Sequence, residues 1–166
     1  MKKTKKIALT GVFTALALTF SYIEFLIPFD MLGIPGIKPG FANLVVMAAL
    51  YTLGLPYAAA VSLMRILLSF LLFGNVTSLL YSLAGGVLSL TVMFILKKTN
   101  VFGHIGVSVG GAGSHNIAQT AVSFIILSFK AVVYYVPVLL LSAVLFGIIN
   151  GSILKLILSR ADKLFK

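Results

Sequence analysis

Arg65 stands nine residues past Pro56 in the apolar run PYAAAVSLMRILLSFLL. If that run is a helix, a rise of ~1.5 Å per residue carries the guanidinium about 14 Å along it, near the middle of a bilayer. A charge at that depth costs at least about 2.5–3.5 kcal/mol, so Arg65 must face the protein interior and meet a partner there. The chain has only three acids, Glu24, Asp30 and Asp162, and none is placed by sequence at the midplane. Two readings follow for Arg65. It binds an anionic group of a ligand, or it is tied internally to carbonyls, polar side chains or a tilted Glu24.

A second polar cluster, GGAGSHNIAQ (110–119), interrupts another apolar stretch. His115 lies ten residues from Ile105, about 15 Å along a helix and so close to the depth of Arg65. Ser108, Ala112, His115, Gln119 and Ser123 recur at helical spacing and form one small, polar face, which must point inward. Interhelical hydrogen bonds are one use for it; a ligand site shared by His115, Asn116, Gln119 and Arg65 is the other. Ser78, Ser82, Gly85 and Ser89 make a similar small face, and Asn150 adds one amide; packing accounts for these. Tyr51, Tyr57, Tyr81, Tyr134 and Tyr135 are candidates for lining a cavity, although Tyr57, Tyr134 and Tyr135 also fit interfacial belts.

Several chemistries are excluded. The chain has no cysteine, which removes thiolate metal sites, disulfides and cysteine nucleophiles. No GxxxxGK[ST] phosphate loop, HExxH motif or carboxylate pair is present, and His115 has no nearby acid to complete a triad. The expectation is a binding protein, not an enzyme, with no cofactor and no metal.

The elements that must position these residues are membrane helices. Of 166 residues, 60% are hydrophobic and 10% charged, and the mean hydropathy is +1.15; a soluble domain carries about a quarter charged residues. A span needs about 20 apolar residues. Proline, glycine and charge divide the chain into runs over 7–27, 41–53, 56–73, 76–96, 105–129 and 135–158, with an external loop over 28–40 (PFDMLGIPGIKPG) stiff enough to act as a lid. The first run is too long for a signal-peptide core and reads as a retained helix. The second is short and also fits a re-entrant hairpin.

The basic residues discriminate between these topologies. Six spans with a cytoplasmic N-terminus put ten of them inside and only Lys38 and Lys130 outside; five spans give five inside and seven outside. Six spans with both termini cytoplasmic is therefore the expected fold, an all-α, single-domain, multi-pass protein of a bacterial cell membrane. The net charge of +10 reports topology and not nucleic-acid binding. Pro56 and Pro137 sit where helices start. The two-residue connections at 54–55 and 74–75 make helices two, three and four antiparallel neighbours. Gly106 with Gly110, and Gly147 with Gly151, allow close helix approach.

At GIKPGFAN (36–43) and GAGSHNIAQ (111–119) the chain resembles the bacterial membrane family called heptaprenyl diphosphate synthase component I or Gx transporter, over nearly its whole length. That family is similar in turn to the substrate-binding S components of energy-coupling factor transporters. The resemblance implies six helices, a ligand cavity under the first loop, and binding roles for Lys38, Asn43, His115, Asn116 and Gln119. It also implies docking of a transmembrane T subunit, working with ATPase subunits, on a small-residue surface formed by Ala8, Gly11 and Ala15, where glycine replaces the usual alanine at position 11. Three scattered acids cannot assemble the carboxylate-rich magnesium site of a prenyl-diphosphate synthase. The function expected is binding of a small anionic solute for import, with an accessory membrane role in isoprenoid or quinone synthesis as the alternative.

Overall fold

A computed structural model describes residues 2–27, 39–126, 133–134 and 136–164. The described residues form six α-helices: α1 (Lys3–Leu26), α2 (Phe41–Thr52), α3 (Leu55–Leu72), α4 (Val76–Thr99), α5 (His104–Ile126) and α6 (Val136–Leu164). By length and composition α1, α3, α4 and α6 can each cross a membrane, and their outer faces carry exposed Leu, Ile and Val side chains suited to lipid. α5 has spanning length but is less apolar, because the GGAGSHNIAQ segment lies in its middle. Helices α1, α4 and α6 run past the apolar runs into lysine- and arginine-bearing turns. Hydropathy marks only what lipid requires, and Lys and Arg propagate a helix well beyond that limit.

The short α2 is the axis of the bundle and meets each of the other helices. Ala42, Leu44, Val45, Val46, Met47, Ala49 and Leu50 are all buried, and a helix apolar on every side belongs in a core. At ~1.5 Å per residue its 12 residues cover roughly 18 Å, well short of a bilayer. At least one of its ends therefore stops short of the membrane surface, and the open amides and carbonyls of its end turns need partners. At the first turn the Phe41 amide donates to Glu24 Oε1 of α1 at 2.6 Å. The preceding Gly40 has φ +73, a left-handed conformation that glycine adopts without strain, and Asn150 Nδ2 of α6 donates to the Pro39 carbonyl at 2.9 Å. At the last turn Lys97 Nζ of α4 donates to the Leu50 carbonyl at 2.8 Å and lies over the Tyr51 ring. An acid at the N-terminus and a base at the C-terminus both complement the helix dipole.

Lys97→Met removes the donor and leaves the Leu50 carbonyl unsatisfied inside the bundle. Thermal unfolding in detergent should register a loss of about 1–2 kcal/mol, with no comparable change for Lys98→Met, whose side chain is exposed. Equal stability of the two variants would remove Lys97 from the capping role.

Around this axis α1 packs on α2 and α3, α3 on α4, and α5 lies between α4 and α6. The α5–α6 contact is the closest: an ideal Cβ on Gly147 would stand 2.7 Å from Val109 Cα, and one on Gly151 2.6 Å from Ile105 Cα. The other expected pair behaves differently. Gly106 faces Phe102 of its own lead-in, and Gly110 faces Leu96 of α4. Residues 28–38, most of the expected lid loop, lie outside the described residues, as does Lys38.

Candidate functional site

The end of the bundle where α1 and α3 finish and α2 and α4 begin holds a cavity of about 140 Å³. α1 contributes Ser21, Glu24 and Phe25, α2 begins beneath it with Ala42 and Asn43, α3 gives Arg65, Ile66 and Ser69, α4 gives Asn75, Ser78 and Ser82, and α5 gives His115 and Gln119. The cavity exists because α2 starts late. A full-length helix on that axis would occupy the same space.

Arg65 is the most deeply placed charge, with only 8% of its surface exposed. Its guanidinium donates to Ser21 Oγ and Asn43 Oδ1, each at 3.4 Å, long beside the usual ~2.9–3.0 Å of such bonds. Its Nε is buried with no hydrogen-bond partner among the described residues, and Ser69 Oγ, one turn along the same helix, is in the same condition. The Glu24 carboxylate acts on Arg65 electrostatically while it accepts from the Phe41 amide.

Asn43 connects Arg65 to His115. Arginine only donates, so the Asn43 oxygen must face it, and the Asn43 Nδ2 is then the atom 3.1 Å from His115 Nδ1. That arrangement makes Nδ1 an acceptor and describes a neutral imidazole with its proton on Nε2. The ring lies against Gly85 of α4, where an added Cβ would come within 2.6 Å of it. The sequence offers packing as the reason for Gly85; the specific reason is room for His115.

Asn43, Gly40 and His115 also form the floor shared with a second, smaller space of about 40 Å³, lined by Ser89, Ser108, Asn116 and Asn150 among others. Asn116 lies on that lower side, and its Nδ2 donates to the Leu139 carbonyl of α6 at 2.7 Å. It ties α5 to α6 and does not line the Arg65 cavity. The structure thus brings together Arg65, Asn43, His115 and Gln119 in one cavity and places Asn116 below it. On the far side of the bundle end, Ser123 Oγ meets Tyr81 Oη at 3.1 Å.

Sequence reasoning missed Ser21 and Phe25 on the α1 face of the site, and offered Glu24 only as an internal partner for Arg65. Their spacing of three and one is a helical signal, but a single acid one turn from a helix end gives no indication that it caps another helix. Phe25 and Tyr22 also pack on Phe73, with centroids 5.2 and 5.4 Å away, and Phe25 and Phe73 line the cavity. Ala8, Gly11 and Ala15 all lie exposed on α1, and nothing approaches the Cβ position of Gly11.

Comparison with known proteins gives one family. Nothing matches among curated proteins or solved structures. The profile of heptaprenyl diphosphate synthase component I matches residues 13–157, which span α2 to α5, most of α1 and α6, and every cavity residue named above. The chain, an all-helical membrane protein, belongs to the heptaprenyl diphosphate synthase component I family.

Proposed function

We propose that the chain is the membrane-embedded substrate-binding subunit of an energy-coupling factor importer, sits in a bacterial cell membrane with both termini cytoplasmic, and binds a small anionic solute in the upper cavity. The observation that carries this reading is the condition of Arg65. A buried guanidinium with two long hydrogen bonds and an idle Nε is costly unless something completes its coordination. The surroundings favour an anion: the N-termini of α2 and α4 both open on the cavity, and a helix N-terminus carries roughly half a positive charge. A cavity of about 140 Å³ is of the size that holds a benzene-scale molecule. The chain supplies no phosphate loop, so energy for transport comes from ATPase subunits, and catalysis is not its role.

The partner surface in this reading is the exposed stripe of Ala8, Gly11 and Ala15, where a helix of the T subunit can approach to backbone contact. Leucine at both Gly11 and Ala15 should abolish uptake while leaving ligand binding by the isolated protein within about twofold, since neither residue touches the cavity. Undiminished uptake by that double variant would locate the partner surface elsewhere.

The family's name favours a second reading, an accessory membrane subunit of heptaprenyl diphosphate synthesis with no catalytic residues of its own. Its lipid diphosphate would also present an anion to Arg65. Native mass spectrometry of protein extracted in lipid nanodiscs separates the two. A bound small solute with co-purifying T and ATPase subunits supports the importer, whereas a bound polyprenyl diphosphate with a soluble synthase subunit replaces it with the accessory role.

A further inference from the structure

We propose that a groove between α3 and α4 holds one hydrocarbon chain of an anionic phospholipid, with the headgroup at Lys98. This rests on the membrane-spanning character of the bundle and not on the reading of the upper cavity. Only residues 73–75 separate α3 from α4, yet α4 packs far more extensively on α5 than on α3. Between α3 and α4 lies a space of about 430 Å³. Ser62, Ile66, Gly86 and Leu90 form its floor and are buried, while Ala59, Val87 and Thr91 stand exposed at its rims. The floor depends on glycine at position 86, where an added Cβ would lie 2.9 Å from Ile66 Cδ1.

The dimensions select the occupant. The lining runs from Leu55 to Ile66 on α3 and from Leu83 to Phe94 on α4, which is about 16 Å of helix at ~1.5 Å per residue. Spread over that length, 430 Å³ makes a channel about 6 Å across. A helix with its side chains is about 10 Å wide, so one from a partner or a second copy would bridge the rims and leave the floor empty. Carbon atoms pack at about 4 Å, so a single extended hydrocarbon chain can lie along the floor. The Thr91 hydroxyl donates to the Val87 carbonyl of its own helix at 2.8 Å and needs nothing from the occupant.

Charge places the head. Residues 83, 87, 91, 94 and 98 recur at helical spacing, so Lys98 continues the α4 wall of the groove one turn past Phe94. Lys97, its neighbour in the last turn, is turned inward to the Leu50 carbonyl. At the same end of the groove α3 begins at Leu55, and Gly54 gives no side-chain cap to its positive end. An ammonium and a helix N-terminus at one mouth of an apolar groove favour a head that carries a phosphate and no cation of its own.

The test uses the full chain in phosphatidylcholine nanodiscs that carry a small share of phosphatidylglycerol with a diazirine in mid-chain. After irradiation, adducts mapped by peptide mass spectrometry should concentrate on the α3 and α4 residues bordering the groove. Unlabelled phosphatidylglycerol should displace the probe about fivefold more effectively than phosphatidylcholine, the worth of one basic residue at an anionic headgroup. Lys98→Gln should erase most of that preference and keep the adducts in place. Ala59→Phe combined with Thr91→Leu, both at exposed rims, should fill the groove and lower its adducts to the level of α1 and α6. The mapping on the unaltered protein stands independently of that double variant. Adducts spread evenly over the lipid-facing sides of the bundle, or undiminished in the filled variant, would overturn the groove as a lipid site. Equal displacement by the two phospholipids, or an unchanged preference in Lys98→Gln, would overturn the headgroup assignment. A polyprenyl phosphate that outcompetes phosphatidylglycerol at equal concentration would overturn the choice of phospholipid.

Discussion

Replacing Arg65 with glutamine should weaken binding of a small carboxylate such as benzoate by about ten- to a hundredfold, the order of 1.5–3 kcal/mol expected for a charge-assisted hydrogen bond. Ligand-free thermal stability should stay nearly unchanged, because relief of the desolvation of a buried cation held by two 3.4 Å hydrogen bonds offsets the loss of its attraction to Glu24. Arg65→Lys should also bind poorly, since an ammonium cannot present the planar fork of a guanidinium. His115→Ala and Gln119→Ala should cost less. Asn43 joins His115 to Arg65, so Arg65 and His115 should show coupling in a double-mutant cycle. A purely structural Arg65 forecasts the reverse: lost stability with affinity intact. Both quantities measured on one purified variant decide between them.

The second large effect belongs to Gly147 and Gly151. Alanine at either position inserts a Cβ within 2.7 Å of the α5 backbone. Backbone cannot rotate out of the way as a side chain can, so α6 must retreat. Overpacking of this kind costs about 1–3 kcal/mol per site. The retreat should also stretch the Asn116–Leu139 hydrogen bond and shift α5, lowering benzoate affinity through His115 and Gln119. Gly113→Ala on α5 is the control: nothing lies near its Cβ position, and alanine is the better helix former by about 1 kcal/mol. Thermal unfolding should rank Gly113→Ala at or above the unaltered protein and Gly151→Ala well below it. Equal melting of the two would remove the α5–α6 contact as the explanation of these glycines.

By itself the sequence determined what the lipid requires. Apolar runs, helix-starting prolines and short glycine-bearing connections are local features, and they are enough for an all-helical membrane protein with Arg65 and His115 at similar depth. The depth of a residue follows from counting along its own helix, so it could be read before any packing was known. Who meets whom is a different kind of fact. Asn43 and His115 lie 72 residues apart, and Asn150 holds the Pro39 carbonyl from 111 residues away; no periodicity encodes such pairs. The shortness of α2 is visible in sequence, yet it fits both a span and a hairpin. Only the tertiary structure makes it a buried axis capped by Glu24 and Lys97, since a helix end inside the protein must find partners wherever the other helices bring them. Asn116 illustrates the same division. Its neighbours in sequence place it with His115 and Gln119, but consecutive residues on a helix point about 100° apart, and that rotation turned it to α6 while His115 faced the cavity.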